Sequence, residues 1–245
     1  MRETFDFLDV LHGKFVSNQH MTQALDTTKT GQDGQGAILQ AAELGFQFAE
    51  GPPLFADLSF RILPGVTLVR GGDGRGKTTL MRLLAGDQHA GGGKRSGQLA
   101  IRATSLQDHP EAYRKHVFWI DPKTEALEQM TVADFLASQQ ADWAGFDNAT
   151  LAACVRDFDL ADHLHKQLFM LSTGSKRKVF MAAAFASGAP VTLIDMPFAA
   201  VDKASGGFVI ERLQRAATSQ HRAWVVADYE APKDVPLSGV IDLGD

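Results

Sequence analysis

The sequence contains very little cysteine. Cys154 is the single cysteine among 245 residues, so no disulfide can form within the chain. It lies in the apolar helical run from Leu151 to Val155, which predicts a buried packing role. A reducing cytoplasm is the simplest setting for such a chain.

Long apolar runs are also missing. No stretch of about 18 apolar residues occurs, and acidic residues interrupt the N-terminal segment from Met1 to Val10. The sequence therefore predicts neither a secretory signal nor a membrane span. We expect a cytoplasmic protein that reaches the inner face of a membrane through a partner.

The chain has no excess of positive charge. Its 24 Lys and Arg residues face 29 Asp and Glu residues, which gives a formal net charge of −5. This balance argues against a nucleic-acid binder that relies on its own net field, and we expect no nucleic-acid partner. Hydrophobic residues make up 44% of the chain, which is enough for a real core and excludes a disordered protein.

The N-terminal segment differs in pattern from the rest. Phe5, Leu8, Leu11 and Phe15 recur at helical spacing, which predicts a short amphipathic helix over about residues 3–16. A polar stretch then reads as a linker, so we place an extension and linker at residues 1–36. The helix either covers the chain's own surface or binds a partner.

From residue 37 onward the pattern is that of an α/β domain. Alternating or continuous apolar runs predict strands around residues 44–48, 58–62, 66–69, 191–194 and 223–226, and helical spacing marks residues 79–84 and 208–217. A helix-rich stretch over about residues 124–175 interrupts this alternation. We therefore predict one α/β domain over residues 37–245, with strands first and an inserted helical sub-domain.

A glycine-rich segment from Gly71 to Thr78 follows the apolar run 66–69 and precedes the helical run 79–84. It fits the pattern of Gly, four residues and Gly-Lys-Thr. Glycines let the backbone wrap closely, so that consecutive amides and the helix N-terminus point at phosphate oxygens. Lys77 would neutralise β- and γ-phosphate charge, and Thr78 would offer its hydroxyl to Mg²⁺. The sequence predicts a phosphate-binding loop.

Two further features lie in the second half of the chain. Leu171 to Ser175 is a serine- and glycine-containing helix start, for which N-capping alone is a sufficient explanation. Asp195 ends an apolar strand that we expect beside the strand of the phosphate loop. A carboxylate at that place can hold Mg²⁺ through water. Asp202 follows after a short turn.

In this order and spacing, the motifs resemble those of the ATP-binding cassette (ABC) ATPase family over about residues 38–232. The resemblance implies a P-loop core of ABC type with an N-terminal β sub-domain and an inserted helical sub-domain. Three segments are most similar to the branch of ATPase subunits that serves haem export in cytochrome c maturation: 54–60, 118–120 and 197–202.

The resemblance also implies roles for individual residues, with ATP and Mg²⁺ as cofactors. Phe48 lies where an aromatic residue often stacks on adenine, although a core role in the first strand is the alternative. The remaining implied roles are as follows: nucleotide binding by Gly71, Gly72, Asp73, Gly74, Arg75, Gly76, Lys77, Thr78 and Thr79; metal binding by Thr78 and Asp195; a signature acting on a second subunit by Ser172, Thr173, Gly174 and Ser175; and the D-loop aspartate at Asp202.

Several catalytic positions depart from the family pattern. Met196 replaces the expected glutamate, Asp228 falls where a switch histidine is expected, and Pro122 or Lys123 falls where a glutamine is expected. Loss of a positioned general base typically lowers a rate by about 10²- to 10⁴-fold, whereas triphosphate affinity comes mostly from the loop, its lysine and Mg²⁺. We therefore expect ATP binding with impaired hydrolysis. Asp228 is either an electrostatic burden beside the γ-phosphate or a substitute base.

The resemblance implies a head-to-tail dimer, homomeric or heteromeric, and an integral membrane partner subunit. The leading interpretation is thus the ATP-binding subunit of an ABC-type transporter or related assembly. A regulatory module that senses ATP without transport remains open. A small-molecule P-loop kinase is less favoured, because the paired features at Leu171 to Ser175 and at Asp195 to Asp202 do not belong to that class.

Overall fold

The structure is a computed structural model and describes residues 36–87 and 89–244. The chain divides into two units, Met1–Thr30 and Gly31–Asp245. The predicted helix over residues 3–16 and nearly all of the linker lie outside the described residues. Along the described part, no helix has both the length and the apolar character that crossing a bilayer requires.

The described residues form nine strands and six α-helices. In chain order they are β1 (Leu39–Phe48), β2 (Phe55–Ile62), β3 (Gly65–Arg70), α1 (Lys77–Leu84), β4 (Gly93–Ile101), β5 (Thr104–Ser105), α2 (Pro110–Arg114), β6 (Val117–Phe118), α3 (Val132–Asp142), α4 (Asn148–Asp157), α5 (Thr173–Ala186), β7 (Val191–Asp195), α6 (Lys203–Ala217), β8 (Ala223–Asp228) and β9 (Gly239–Asp242). Short 3₁₀ helices at Ala161–His163 and Leu168–Met170 connect α4 to α5.

One sheet is antiparallel, with the order β2-β1-β4-β5. Its inward residues come from alternating positions, so Leu44 and Phe46 of β1 are almost fully buried while Gln47 is exposed. The register of β1 shifts against both neighbours between Ala41 and Gly45, as a β-bulge does. This sheet is the predicted N-terminal β sub-domain.

The second sheet is parallel, with the order β6-β7-β8-β3-β9. Its central strands are apolar along their length, as expected for strands covered on both faces. The expectation that the strand of Asp195 lies beside the strand of the phosphate loop is wrong, because β8 lies between β7 and β3. The carboxyl ends of all three strands nevertheless meet at one edge.

Helix α1 anchors the phosphate loop to this frame. Leu80, Leu83 and Leu84 are fully buried in a cluster that includes residues from both sheets. Truncating one such leucine typically costs about 2–5 kcal/mol, so the helix that follows the loop is firmly packed into the core. Helices α3 and α4 lie within the predicted helical insert, whose limits at residues 124 and 175 remain a prediction.

Candidate functional site

The turn from β3 into α1 requires glycine. Gly76 has φ of +90°, and a β-carbon there would lie 2.7 Å from Cζ of Phe55 and 2.8 Å from Cδ2 of Leu54. The backbone angle therefore disfavours any side chain, and a β-carbon would also require Phe55 and Leu54 to shift. Helix α1 begins at the next residue, and no side chain of the described residues caps its first turn. Its first amides are available to an anion.

Lys77 lies inside the loop. Its side chain is 8% exposed, and Nζ donates to the carbonyl oxygens of Gly71 at 2.6 Å and Gly72 at 2.9 Å. The loop thus wraps around the ammonium group and holds it at the mouth of the turn. A buried cation at a helix N-terminus is a suitable partner for phosphate oxygens.

Thr78 and Asp195 meet across the edge of the parallel sheet. The Thr78 hydroxyl donates to Asp195 Oδ2 at 2.6 Å, while Oδ1 of the same carboxylate is buried and has no hydrogen-bond partner among the described residues. Burial raises the pKa of Asp195, and the hydrogen bond from Thr78 and the charge of Arg177 oppose this shift. A hydroxyl beside an unsatisfied carboxylate oxygen fits a hydrated Mg²⁺ ion.

Met196 follows Asp195 in a strained position, with φ of +52°. Its N–H donates to Ala227 O at 2.8 Å, and its carbonyl accepts from Nη1 of Arg177 at 2.6 Å. Together with Phe118, Met196 lines an apolar pocket beside β7. The backbone at this position is firmly held, but the side chain offers no proton acceptor.

Asp228 ends β8 at the same edge. It is half-buried, its Oδ1 accepts from the N–H of Tyr229 at 2.7 Å, and its Oδ2 is buried without a hydrogen-bond partner within the described residues. Burial raises the pKa of Asp228, while the hydrogen bond from the N–H of Tyr229 and the charge of Lys77 lower it. Asp228 therefore places a carboxyl group near Lys77 and Asp195.

Phe48 lies at the end of β1 with 39% of its surface exposed, and its ring packs edge-on against Phe46 at 4.9 Å. Phe46 pairs with Phe55, which contacts the backbone of the phosphate loop at Gly76. Phe48 is thus linked to the loop through Phe46 and Phe55, and part of its surface stays exposed. Both the adenine role and the packing role remain predictions.

The segment predicted to be the signature, Ser172 to Ser175, forms the start of α5. Ser172 is the N-cap residue, and its Oγ accepts from Ser175 N–H at 3.1 Å. Asp202 caps α6 in the same way and accepts from Lys178 Nζ at 2.5 Å, and these hydrogen bonds hold the pKa of Asp202 far below its ordinary value. None of the hydrogen bonds in the described residues joins Ser172 or Asp202 to the phosphate loop.

The segment where a glutamine was expected begins at Asp121, directly before Pro122 and Lys123. Asp121 accepts from Arg82 of α1 at 2.6 Å and from the N–H of Lys123 at 2.9 Å. A carboxylate thus links this connection to the helix that carries the loop, although Asp121 was not among the predicted site residues.

Besides Asp121, two functional candidates escaped the sequence analysis. Arg177 holds the backbone at Met196, and the ring of Tyr229 lies over Lys77 with 4.1 Å between Nζ and the ring centroid. The Tyr229 hydroxyl also donates to Asp73 in the loop. The only signal for Tyr229 in the sequence is its position directly after Asp228.

Comparison with known proteins places this site in context. Residues 55–199 match the family model described as ABC transporter. The chain is 30% identical over 196 residues to the cytochrome c biogenesis ATP-binding export protein CcmA of Pseudomonas syringae pv. syringae (strain B728a), covering 77% of this chain and 86% of that protein. Identity to CcmA of Vibrio cholerae serotype O1 is 27% over 198 residues, covering 78% and 92%.

The fold is also similar to solved structures. One, the ATP-binding subunit of an ABC transporter, has a TM-score of 0.66 at 22% identity and covers 78% of this chain and 79% of that chain. A second, a putative ABC transporter ATP-binding protein from Pyrococcus furiosus, has a TM-score of 0.64 at 18% identity and covers 84% and 96%. These likenesses confirm the predicted fold class.

Proposed function

Since this chain belongs to the ABC transporter family, we propose that it is an ATP-binding subunit that binds Mg·ATP and couples binding to a membrane partner. The family resemblance drawn from the motifs is confirmed, including its relation to the ATPase of the cytochrome c maturation exporter. One observation carries the proposal: at the edge of the parallel sheet, the loop holds the ammonium group of Lys77, and the next residue, Thr78, bonds to Asp195. We call these three residues the junction.

Each member of this junction has a role toward the nucleotide. The amides of the loop and Lys77 bind the β- and γ-phosphate groups, and Thr78 with Asp195 holds the magnesium ion. When bound, Mg²⁺ neutralises charge that develops on the phosphate oxygens. Because Asp195 Oδ1 is buried without a partner among the described residues, a bound cation would also relieve a cost that the chain otherwise bears.

Hydrolysis is proposed to be slow. The backbone of Met196 occupies the place of the expected base, but its thioether cannot accept a proton from water. The neighbouring pocket is apolar, and the only carboxylate among the described residues that line it is Asp195. Asp195 already accepts a hydrogen bond from Thr78, so it does not replace the missing base.

The quaternary arrangement is part of the proposal. Ser172, Gly174 and Asp202 lie at adjoining helix starts, and none of the hydrogen bonds in the described residues joins Ser172 or Asp202 to the chain's own phosphate loop. In a head-to-tail dimer such a surface would close the nucleotide site of a second subunit. We further propose that the protein is cytoplasmic and lies at the membrane only through its partner subunit.

A direct test is titration of the protein with a fluorescent ATP analogue, with and without Mg²⁺. We expect Mg²⁺-dependent binding that Lys77→Ala weakens by at least about tenfold, because the buried ammonium group contacts the phosphates. Lys233→Ala removes an exposed lysine and serves as the matched control. Equal binding by wild type and Lys77→Ala would contradict the assignment.

A regulatory module that senses ATP without transport is the second candidate, and Met196 favours it, since a sensor requires binding but not turnover. The two candidates differ in their partner. Mass determination of the protein purified with its native partners, with and without ATP, distinguishes them: an integral membrane subunit in the complex supports transport, and a soluble partner supports sensing.

A further inference from the structure

Tyr229 covers the side of Lys77 that the loop leaves free. An ammonium group has three N–H donors. The carbonyl oxygens of Gly71 and Gly72 accept two of them, and the ring centroid of Tyr229 lies 4.1 Å from Nζ. The aromatic face therefore lies beside an ammonium group that has one donor left, at the distance of a cation–π contact.

The same side chain is attached to the loop at its other end. The Tyr229 hydroxyl donates to Oδ1 of Asp73, an acidic residue within the phosphate loop itself. Tyr229 thus spans the loop from Asp73 to Lys77. It also gives the Asp73 carboxylate a hydrogen-bond donor. This matters because the amides and Lys77 of the same loop are arranged for a bound anion, which the Asp73 carboxylate would repel.

Tyr229 is free to move without disturbing the core. Its side chain is 48% exposed, and it lies one residue beyond the end of β8. Its backbone N–H donates to Asp228 Oδ1 at 2.7 Å, and Tyr229 belongs to neither hydrophobic cluster of the described residues. Rotation of this half-exposed side chain therefore displaces no core residue, as a displaceable cover requires.

We propose that Tyr229 is a phosphate-displaced cover of Lys77: its ring and the phosphate groups of a nucleotide compete for the same face of the ammonium group. This inference rests on the proposed nucleotide-binding function. Binding then requires that the ring rotate away and that Asp73 lose its donor, so the nucleotide affinity of the wild type is lower than the loop alone would give.

The test compares Tyr229→Ala and Tyr229→Phe with wild type in titrations with Mg·ATP and Mg·ADP. We expect Tyr229→Ala to tighten binding of both nucleotides by about 3- to 10-fold, the range of a partly exposed cation–π contact. Tyr229→Phe keeps the ring but loses the bond to Asp73, so its effect should be smaller. Phe169→Ala removes another exposed aromatic ring and should leave both affinities unchanged.

A second readout follows the side chain itself. The chain has only two tyrosines, and Tyr113 is fully buried with its hydroxyl bonded to Leu84 O at 2.9 Å. Protein labelled with 3-fluorotyrosine should give two ¹⁹F resonances, of which Tyr229→Phe removes one. Addition of Mg·ATP should move the Tyr229 resonance toward its position in unfolded protein and leave the Tyr113 resonance nearly in place.

The outcomes separate this inference from the function on which it rests. Weaker ATP binding by Tyr229→Ala, with ADP unaffected, would make Tyr229 a ligand of the γ-phosphate and overturn the cover. Unchanged affinities, with Lys77→Ala still abolishing binding, would overturn the cover and leave the proposed function intact. If neither wild type nor either Tyr229 variant binds nucleotide, the proposed function is itself wrong.

Discussion

The α-carbon of Gly174 in the signature segment lies so close to the carbonyl of Ala200 that a β-carbon would be 2.2 Å from that oxygen. Ala200 belongs to the turn before α6 and has φ of +59°. The signature glycine therefore has a role within its own chain, in addition to any role toward a second subunit. It allows the starts of α5 and α6 to pack backbone against backbone.

This contact makes a prediction about stability. Gly174→Ala should lower the free energy of unfolding by about 1–3 kcal/mol, because the neighbouring backbone must shift to admit the methyl group. Gly207→Ala is the matched control: it lies inside α6, and a β-carbon there meets no atom within 4 Å. That change should raise stability by about 0.5–1 kcal/mol. Urea denaturation measures both, and equal effects would contradict the close approach.

The buried thiol of Cys154 predicts a dependence on alkaline pH. Cys154 is fully buried, which confirms its expected packing role, and burial raises the pKa of its thiol to about 11. The thiol of an unfolded chain has a pKa near 8.5. Between these values the unfolded chain loses the proton while the folded protein keeps it, so stability falls as pH rises, by up to about 1.4 kcal/mol per pH unit.

The measurement is the free energy of unfolding at several pH values from 8 to 10, for wild type and for Cys154→Ala. The variant removes this titration and leaves every other group in place, so the difference between the two curves isolates the thiol. We expect that difference to shrink as pH rises. Parallel curves would show that the thiol titrates alike in the folded and unfolded states.

The position of Met196 predicts the catalytic behaviour. Met196→Glu places a carboxylate after Asp195 on a backbone that Arg177 already holds, and we expect ATP turnover to rise by about 10²- to 10⁴-fold. Met196→Gln is the matched control, since it has similar size and polarity without a base. Wild-type turnover of about 1 s⁻¹ or faster, near the ordinary enzyme range, would show that no base is missing.

Short-range patterns in the sequence were sufficient to predict β3, the glycine-rich loop and α1. The apolar run of β3, the glycines of the loop and the buried leucines of α1 each carry their own pattern, and the structure places them as predicted. Strand β4 was missed because its first half, from Gly93 to Gln98, is polar and carries little strand pattern. Its pairing with β1 determines its structure.

Features that depend on tertiary arrangement could not be read from the sequence. Thr78 lies in α1, directly after β3, and it bonds to Asp195 of β7 although β8 lies between these two strands. Strand order depends on the crossover connections, which local pattern does not reveal. Tyr229 was missed for a similar reason. The family pattern directed attention to Asp228, whereas contact with Lys77 depends on how the chain leaves the sheet.

The last prediction concerns the charge of Asp228. Its Oδ2 is buried without a partner among the described residues, and Lys77 and Asp195 lie near enough to influence its pKa. If the carboxylate burdens the site, Asp228→Asn should tighten ATP more than ADP, since only ATP adds a γ-phosphate. Two unit charges 4 Å apart interact by about 4 kcal/mol at an effective dielectric constant of 20, which sets the upper limit of this gain.

The same variant also tests the opposite role. If Asp228 acts as a substitute base, Asp228→Asn should abolish whatever hydrolysis the wild type shows and leave affinity nearly unchanged. Nucleotide titration and a turnover assay together therefore separate the two roles. Glu230→Gln is the control, because it removes an exposed charge two residues further along the chain. We expect that Asp228 repels the γ-phosphate and does not act as a base. Its Oδ1 already accepts from the N–H of Tyr229, and an ionised carboxylate has no proton to donate to a phosphate oxygen. Equal effects on ATP and ADP, with hydrolysis untouched, would mean that the carboxylate points away from the nucleotide and that the end of β8 is not the switch position.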